Sequence, residues 1–507
     1  MQYTQEIIKN QQEKFESQLI TKEFQMYFNN KNANLTKSDE HLYFQNKKDK
    51  FLIKKHYYLF NQYLVMKNKF INFENCQITY DESKQNQIYD SFILLQKEGK
   101  KFQIYGKKES LFKWFEHLKH YTIQRNFKNK FKKCELLGRG SQAKVYKILN
   151  IKTGKTFATK QFEKNKINES SLSHLLKEIS ILRQLNHDGI TKFYEVFENK
   201  KKIYIILECL NGGELLDQIR SPSYQYNEQF VMDFASNLLK IIDYVHQTGI
   251  MHRDLKPENL ILKDSNNYTD FAIADFGLAE FYKNDVQYLE KCGTIGYIAP
   301  EVLRNKPYDQ KIDIYSIGVI LFTLFTGSLP FVGNSTIEIY QNNLQAKINA
   351  SQLKQINITD KAKQFVFSLL NENPEKRPTA QEALKHEWFK LPPSLTNNLI
   401  LSTLTNLSGH KKHQKFLSIK CTSPLWNKSK LKDCFLEDSD DSQNNIYKFQ
   451  IIKDSIVFND DDDDAELMDE QDGQTNQIQL SAQQCENYYF SNSKIRLLNE
   501  KRDQGLF

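Results

Sequence analysis

The sequence predicts an α+β chain: a small strand-rich module closed by one helix, then a larger domain in which strand and helix signals alternate. Three observations predict it. Residues 37 to 122 hold short runs of aromatic and β-branched residues parted by Lys and Asn, which is strand chemistry between polar turns. Residues 131 to 389 alternate strand-like and helix-like patterns, with the longest apolar run at Ile317 to Phe325. Beyond 390 the apolar pattern fades into Ser, Asn, Gln and carboxylates. The 507 residues suffice for two or three domains, and an apolar fraction of 39% supplies their cores. A mean hydropathy of -0.63 implies much exposed polar chain as well.

The remaining composition excludes several classes. A net charge of +8 is modest, so the placement of charge matters more than its total. The 7 Cys are scattered without paired C-x-x-C or Cys/His spacing, which argues for reduced thiols rather than a disulfide frame or a zinc site. The opening MQYTQEIIKNQQEKF lacks an apolar stretch of signal-peptide type, and the longest apolar run is too short to span a bilayer. A cytoplasmic protein is expected, any membrane contact being peripheral. No nucleic-acid motif is present.

In chain order, residues 1–36 are a polar segment rich in Gln, Asn and Lys. In 37–122, LIKKHYYLF, NQYLVM, SFILL and FQIYG read as strands. Leu111, Trp114, Phe115 and Leu118 recur at helical spacing in the segment that closes this module. At the start of 131–389 comes LLGRGSQAKVYK, with Gly138, Gly140 and Ala143 at spaced small positions. Small residues let a hairpin backbone close over phosphates and present N–H groups to an anion. Glycines also make ordinary turns, so this signal alone is weak. Strand-like KVYKIL follows where a dinucleotide-binding fold would begin a helix, which excludes that fold.

Lys160 then sits inside the apolar strand FATKQF, where an ammonium needs an anionic partner. Glu178 borders the buried stripe Leu175, Ile179 and Leu182 of the next helix and is the candidate partner. MHRDLKPENLIL is far more specific. Asp254 can accept or orient a hydroxyl proton, Lys256 can neutralise charge on a transferring phosphoryl group, and Asn259 offers a metal oxygen ligand. Asp275 in IADFGLAE follows a short apolar strand and offers a second hard ligand suited to Mg²⁺.

Taken in order, these motifs resemble the eukaryotic protein kinase family over residues 131 to 389. The resemblance implies a two-lobed protein kinase fold, with Lys160–Glu178 as the ion pair, Asp254 as the catalytic base, and Asn259 and Asp275 as metal ligands. It further implies that Glu301 of Ala299-Pro300-Glu301 pairs with Arg377, and that Asp313 braces the catalytic loop. For the nucleotide, Leu137, Gly138, Arg139, Gly140, Ser141, Gln142 and Ala143 form the phosphate loop. Val145, Ala158 and Ile261 sandwich adenine behind a Leu207 gatekeeper, with Glu208 to Leu210 as hinge and Glu214 beyond it. ATP and Mg²⁺ are the implied cofactors and proteins the implied substrates. Lys256 and Thr294 resemble the Ser/Thr-specific pattern.

KCGTIGYIAPEVL and NGGEL resemble the calcium/calmodulin-dependent and calcium-dependent kinases. Glu214 and Glu258 match positions that read basic residues before the acceptor, so Arg-x-x-Ser/Thr sites are expected; solvated surface carboxylates are the plainer alternative. No Ser or Thr lies between Asp275 and Cys292, and Glu290 stands where relatives carry a phosphothreonine, which implies activity without phosphorylation there. Residues 397–421 read as an apolar, then basic helix, suited either to regulation by an acidic calmodulin-like calcium sensor or to docking on the larger domain. Residues 422–507 form an acidic tail with the run Asp460 to Asp464 and are expected to be disordered. The module at 37–122 resembles a small PH-like β-barrel with a C-terminal helix. Lys47, Lys48, Lys50 and Lys55 then become candidates for an anionic lipid surface, and a protein partner is the other reading. A docking or scaffolding protein with a catalytically secondary kinase fold is the alternative to an enzyme.

Overall fold

The computed structural model describes residues 72–397 apart from 83–90, 98–99, 141–142, 216–225, 265–266 and 334; before and after these it describes only the backbone of short strands. Ser141 and Gln142 of the phosphate loop lie outside the described residues, as do Lys47, Lys48 and Lys50.

The expected strand-rich module is a set of antiparallel strands followed by helix α1 (Lys108–Leu118). Gln77–Glu82, Ser91–Lys97 and Lys100–Gly106 form a meander, and Lys100–Gly106 also pairs with Leu42–Gln45, which pairs with Leu52–Lys55. Alternation along Ser91–Lys97 buries Ser91, Ile93 and Leu95 on one face. Leu111, Trp114 and Leu118 of α1 close over that face at the predicted spacing, together with Phe73, Ile78 and Ile104. A second, five-stranded sheet takes Tyr58–Phe60, Tyr63–Met66 and Lys69–Asn72; no described pairing joins it to the first into a closed barrel.

The module does not end where its helix ends. Strand Ile123–Gln124 runs parallel to Gln77–Ile78 on one side and to Val196–Phe197 on the other. It thereby joins the module's meander to the strands of the next domain in one 11-stranded sheet. On the outer face of the junction Phe127 stacks on Tyr204 at 4.2 Å and packs with Phe131, Ile148 and Phe197. Burying such aromatic area is a large hydrophobic gain, so the joint is a core rather than a hinge.

The sheet of the following lobe runs Phe131–Arg139, Ala143–Asn150, Thr156–Glu163, Lys202–Leu207 and Phe193–Glu198, all antiparallel. Helix α2 (Glu169–Gln184) lies against it; Asn168 caps its start, accepting a bond from Ser171 N at 2.8 Å. Its face Leu175, Ile179 and Leu182 is buried as expected. The second lobe is helical, built on α3 (Glu228–Gln247) and α4 (Lys311–Thr326). The apolar run of the sequence is the interior of α4, which is buried on every side and ends at Gly327 in a left-handed turn, φ 73°.

The segment expected to be a regulatory helix differs where it is described. Ile400–Leu401 and Ser418–Lys420 are strands, paired with Tyr226–Asn227 and Cys292–Thr294. Its apolar residues suit either state, and an unpaired strand edge competes with helix formation. The rest of 397–421 and all of 422–507 lie outside the described residues. Among the described residues no helix is long and apolar enough to cross a membrane.

Candidate active site

The cleft between the lobes gathers the predicted residues. The hairpin Phe131–Arg139 and Ala143–Asn150 closes through Gly140 N donating to Ala143 O at 2.8 Å. A side-chain carbon on Gly138 would meet nothing within 4 Å, so the open space above the hairpin, and not crowding, is what these small residues leave. Below it, Val145 pairs with Lys160, Ala158 lies buried opposite Leu207, and Ile261 comes up from the other lobe. Glu208 continues the strand, its N–H bonding to Lys192 O at 2.8 Å, and Leu210 follows it in the hinge. Gly212 then packs so close to Leu262 that a side-chain carbon would lie 2.5 Å from it, which explains the glycine there. Leu137, Arg139 and Glu214 are exposed or nearly so.

Lys160 is the centre of charge. Its Nζ donates to Glu178 Oε1 at 2.6 Å and to Asp275 Oδ1 at 2.8 Å. Burial by itself would lower its pKa; the Asp275 and Glu178 carboxylates outweigh that and hold it above the ordinary lysine value. Asp275 also accepts from Gly277 N at 3.1 Å, and its backbone is left-handed at φ 56°. Beside Asp275, Asn259 O accepts from Ala274 N at 2.8 Å, and the Asn259 amide donates to Asp254 O at 2.8 Å, which leaves the amide oxygen as the ligating end. A carboxylate and an amide oxygen are hard donors that suit a small divalent cation with phosphate oxygens, so this pair fits the implied metal.

The catalytic loop is held from beneath. Fully buried Asp313 accepts from His252 N at 2.8 Å and Arg253 N at 2.9 Å, and meets His246 Nε2 at 2.9 Å. Burial would raise its pKa, but the His246 and His252 contacts keep it below the ordinary carboxylate value. Those bonds fix Arg253 at φ 66° and so aim the next residue, Asp254. Asp254 Oδ1 accepts from Thr294 Oγ1 at 2.6 Å, Lys256 Nζ reaches Thr294 Oγ1 at 2.8 Å, and Lys256 Nζ stands 3.1 Å from Asp254 Oδ2. His252 packs edge-on against Phe276 at 4.8 Å, which joins the loop to the segment carrying Asp275.

Sequence reasoning placed these groups but missed the links between the activation segment and α2. Lys177 pairs with Glu280 at 2.6 Å, and His174 stands 3.8 Å from Glu290. Glu290 in turn contacts Arg253 Nη1 at 3.0 Å. Burial would raise its pKa, yet His174 and Arg253 bring it down to about 2. The signal was available: His174 and Lys177 are three residues apart on α2, on neighbouring turns of one face just before Glu178. The bridge between Glu301 and Arg377 is as expected and bidentate, at 2.7 Å and 3.2 Å, with Arg377 over the Tyr315 ring at 4.8 Å.

Such a cleft, with the Lys160–Glu178 pair on one lobe and Asp254 in a loop of the other, is the arrangement of the two-lobed protein kinase fold. The model of the protein kinase domain matches residues 131–389, and the chain belongs to the protein kinase family. Myosin light chain kinase A of Dictyostelium discoideum is 36% identical over 256 residues, 50% of this chain and 86% of the relative. Calcium/calmodulin-dependent protein kinase type 1 of Caenorhabditis briggsae is 33% identical over 276 residues, 54% of this chain and 76% of the relative. Calcium-dependent protein kinase 5 of Plasmodium falciparum is 34% identical over 342 residues, covering 65% and 59%. The chain spans 64% and 61% of two further relatives, a probable myosin light chain kinase and a probable serine/threonine-protein kinase 2. Membership implies use of ATP with a divalent cation.

Proposed function

We propose that the protein is a Ser/Thr protein kinase that transfers the γ-phosphoryl group of Mg·ATP to hydroxyls of protein substrates. The observation that carries this is the cluster of Asp254, Lys256 and Thr294 facing the Lys160–Glu178–Asp275 set. In the proposed reaction the substrate oxygen attacks the γ-phosphorus, the bond to the β-phosphate oxygen breaks, and ADP leaves. Asp254 takes the hydroxyl proton. Lys256 offsets charge on the group in transfer, and Lys160 orients the phosphates. Mg²⁺ bound by Asp275 and Asn259 would neutralise phosphate charge. The Thr294 hydroxyl, tied to both Asp254 and Lys256, narrows the acceptor space and supports Ser/Thr over Tyr.

Finer parts of the reading follow from the sequence. Exposed Glu258 and Glu214 favour basic residues before the acceptor. The strand Ser418–Lys420, laid antiparallel along Cys292–Thr294, supports autoregulation by the C-terminal segment, because an extended substrate would need the same edge. A calmodulin-like sensor that takes up this segment would then release it. The meander capped by α1 supports a PH-like docking module, and failure of the full chain to sediment with anionic vesicles at low salt removes its lipid role.

The test is phosphate transfer from Mg·ATP to an Arg-x-x-Ser peptide by the wild type and by Asp275→Asn. Transfer by the wild type and its loss in the variant, with unchanged thermal unfolding, supports the proposal. Equal transfer by both sinks the assigned metal ligand, and transfer by neither favours the scaffold reading.

A further inference from the structure

One side of the C-terminal turns of α2 is gripped by the strand-rich module. Ser180 Oγ donates to Glu74 Oε1 at 2.6 Å. Arg183 Nε donates to His120 O at 2.9 Å, and its Nη1 donates to Asn75 Oδ1 at 2.8 Å and stands 3.8 Å from Glu74. The Arg183 side chain is 3% exposed, and its guanidinium lies 5.9 Å from the centre of the Phe193 ring. His120 meets that same ring edge-on at 5.2 Å.

The turn that supplies Glu74 and Asn75 is itself fixed. Asn75 N bonds to Tyr121 O at 3.0 Å, and Ile123 N bonds to Cys76 O at 2.8 Å. The chain then enters the shared sheet at Ile123–Gln124. The grip is therefore anchored to the same sheet that carries Lys160. At its other side α2 touches the activation segment through Lys177 and His174. Glu178 lies between the two attachments. To leave Lys160, α2 would have to swing outward, and Arg183 would then lose partners for a charge already out of water.

We propose that the Glu74–Asn75 turn and the His120 end of α1 form a built-in brace for α2, with Arg183 as the positioning residue that keeps Glu178 on Lys160. This rests on the reading of Lys160–Glu178 as the phosphate-orienting pair. It accounts for an assembled pair in a chain whose activation segment has no Ser or Thr before Cys292. The brace comes from outside residues 131–389, which the kinase family model covers.

The experiment uses the full chain with Glu74→Ala and Asn75→Gly, which leaves residues 131–389 untouched. Glycine tolerates the left-handed backbone at Asn75, φ 59°, so the turn itself survives. Two readouts are taken: steady-state kinetics against Mg·ATP, and deuterium exchange of α2 compared with α4. If nine-tenths of the molecules adopt the swung-out arrangement, kcat/KM for ATP falls about tenfold. Exchange in α2 rises while that in α4 does not. Glu74→Gln, whose amide oxygen still accepts from Ser180, keeps wild-type values with Asn75 intact. Unchanged α2 exchange overturns the brace, as does an equal rise in α2 and α4, which would report lost stability alone. Should the wild type transfer no phosphate, the kinase reading fails, while α2 exchange still decides the brace.

Discussion

At the scale of the residue, charge and spacing were legible where one short segment carries both. Asp254, Lys256 and Asn259 lie within one loop, so their co-location needed no tertiary knowledge. The left-handed backbones of Arg253 and Asp275 were not legible, because neither residue type announces φ values of 66° and 56°. Such conformations cost energy and persist when neighbours over-determine them, as the Asp313 bonds do for Arg253. The contact of Glu290 with Arg253 was legible, but its second contact, His174, was not. Its depressed pKa gives a signed prediction. The ordinary value is 4.5 and the folded value about 2, so the unfolded chain binds the proton first as pH falls. Stabilisation from Glu290 is then full above about pH 4.5 and fades between there and about pH 2. The gap in unfolding midpoint between wild type and Glu290→Gln is expected to be constant near neutrality and to close across that acid window. Thermal melts across the pH range check it; a gap independent of pH means the carboxylate charge is not what matters.

At the scale of the element, α4 was legible because an apolar run with no polar face can only be an interior helix. Its orientation depends on polar contacts that hydrophobic patterning does not reveal. Arg377 is fully buried, spans Glu301 with two bonds, donates to Lys311 O at 2.9 Å at the start of α4 and lies on Tyr315. This one side chain therefore ties the end of the activation segment to the core helix. Arg377→Ala would leave Glu301, 4% exposed, as an unpaired buried acid. Breaking a buried pair in this way costs about 3–5 kcal/mol. Urea unfolding should show that loss, and Arg377→Lys should recover only part of it, since an ammonium cannot span both oxygens. A loss below about 1 kcal/mol would place the bridge among weak surface pairs. The segment after 397 was the less legible element: apolar residues followed by lysines fit a helix alone, while the strand edges it meets are invisible in its own sequence.

At the scale of the whole molecule, the strand-rich module and the kinase lobe were legible separately, but their fusion was not. The joining strand, Ile123–Gln124, has 2 residues, too short to show periodicity, and it pairs because edges on both sides stand open. The same principle governs the other end of the chain, where Ser418–Lys420 takes the edge at Cys292–Thr294. That edge adjoins Thr294, whose hydroxyl is bonded to Asp254. A peptide presenting its acceptor to Asp254 and extending past Thr294 would therefore compete with residues 418–420. Proline cannot donate to a strand ladder, so Ile419→Pro should free the edge without altering the cleft. The KM for an Arg-x-x-Ser peptide should then fall and basal turnover rise, with the KM for ATP unchanged, because residues 418–420 pair with Cys292–Thr294 and not with the phosphate hairpin or the Lys160 strand. Steady-state kinetics with peptide and ATP varied in turn decide the matter. A variant with wild-type peptide kinetics would mean that the strand lies along the edge without obstructing substrate, and regulation would have to act through α2 instead.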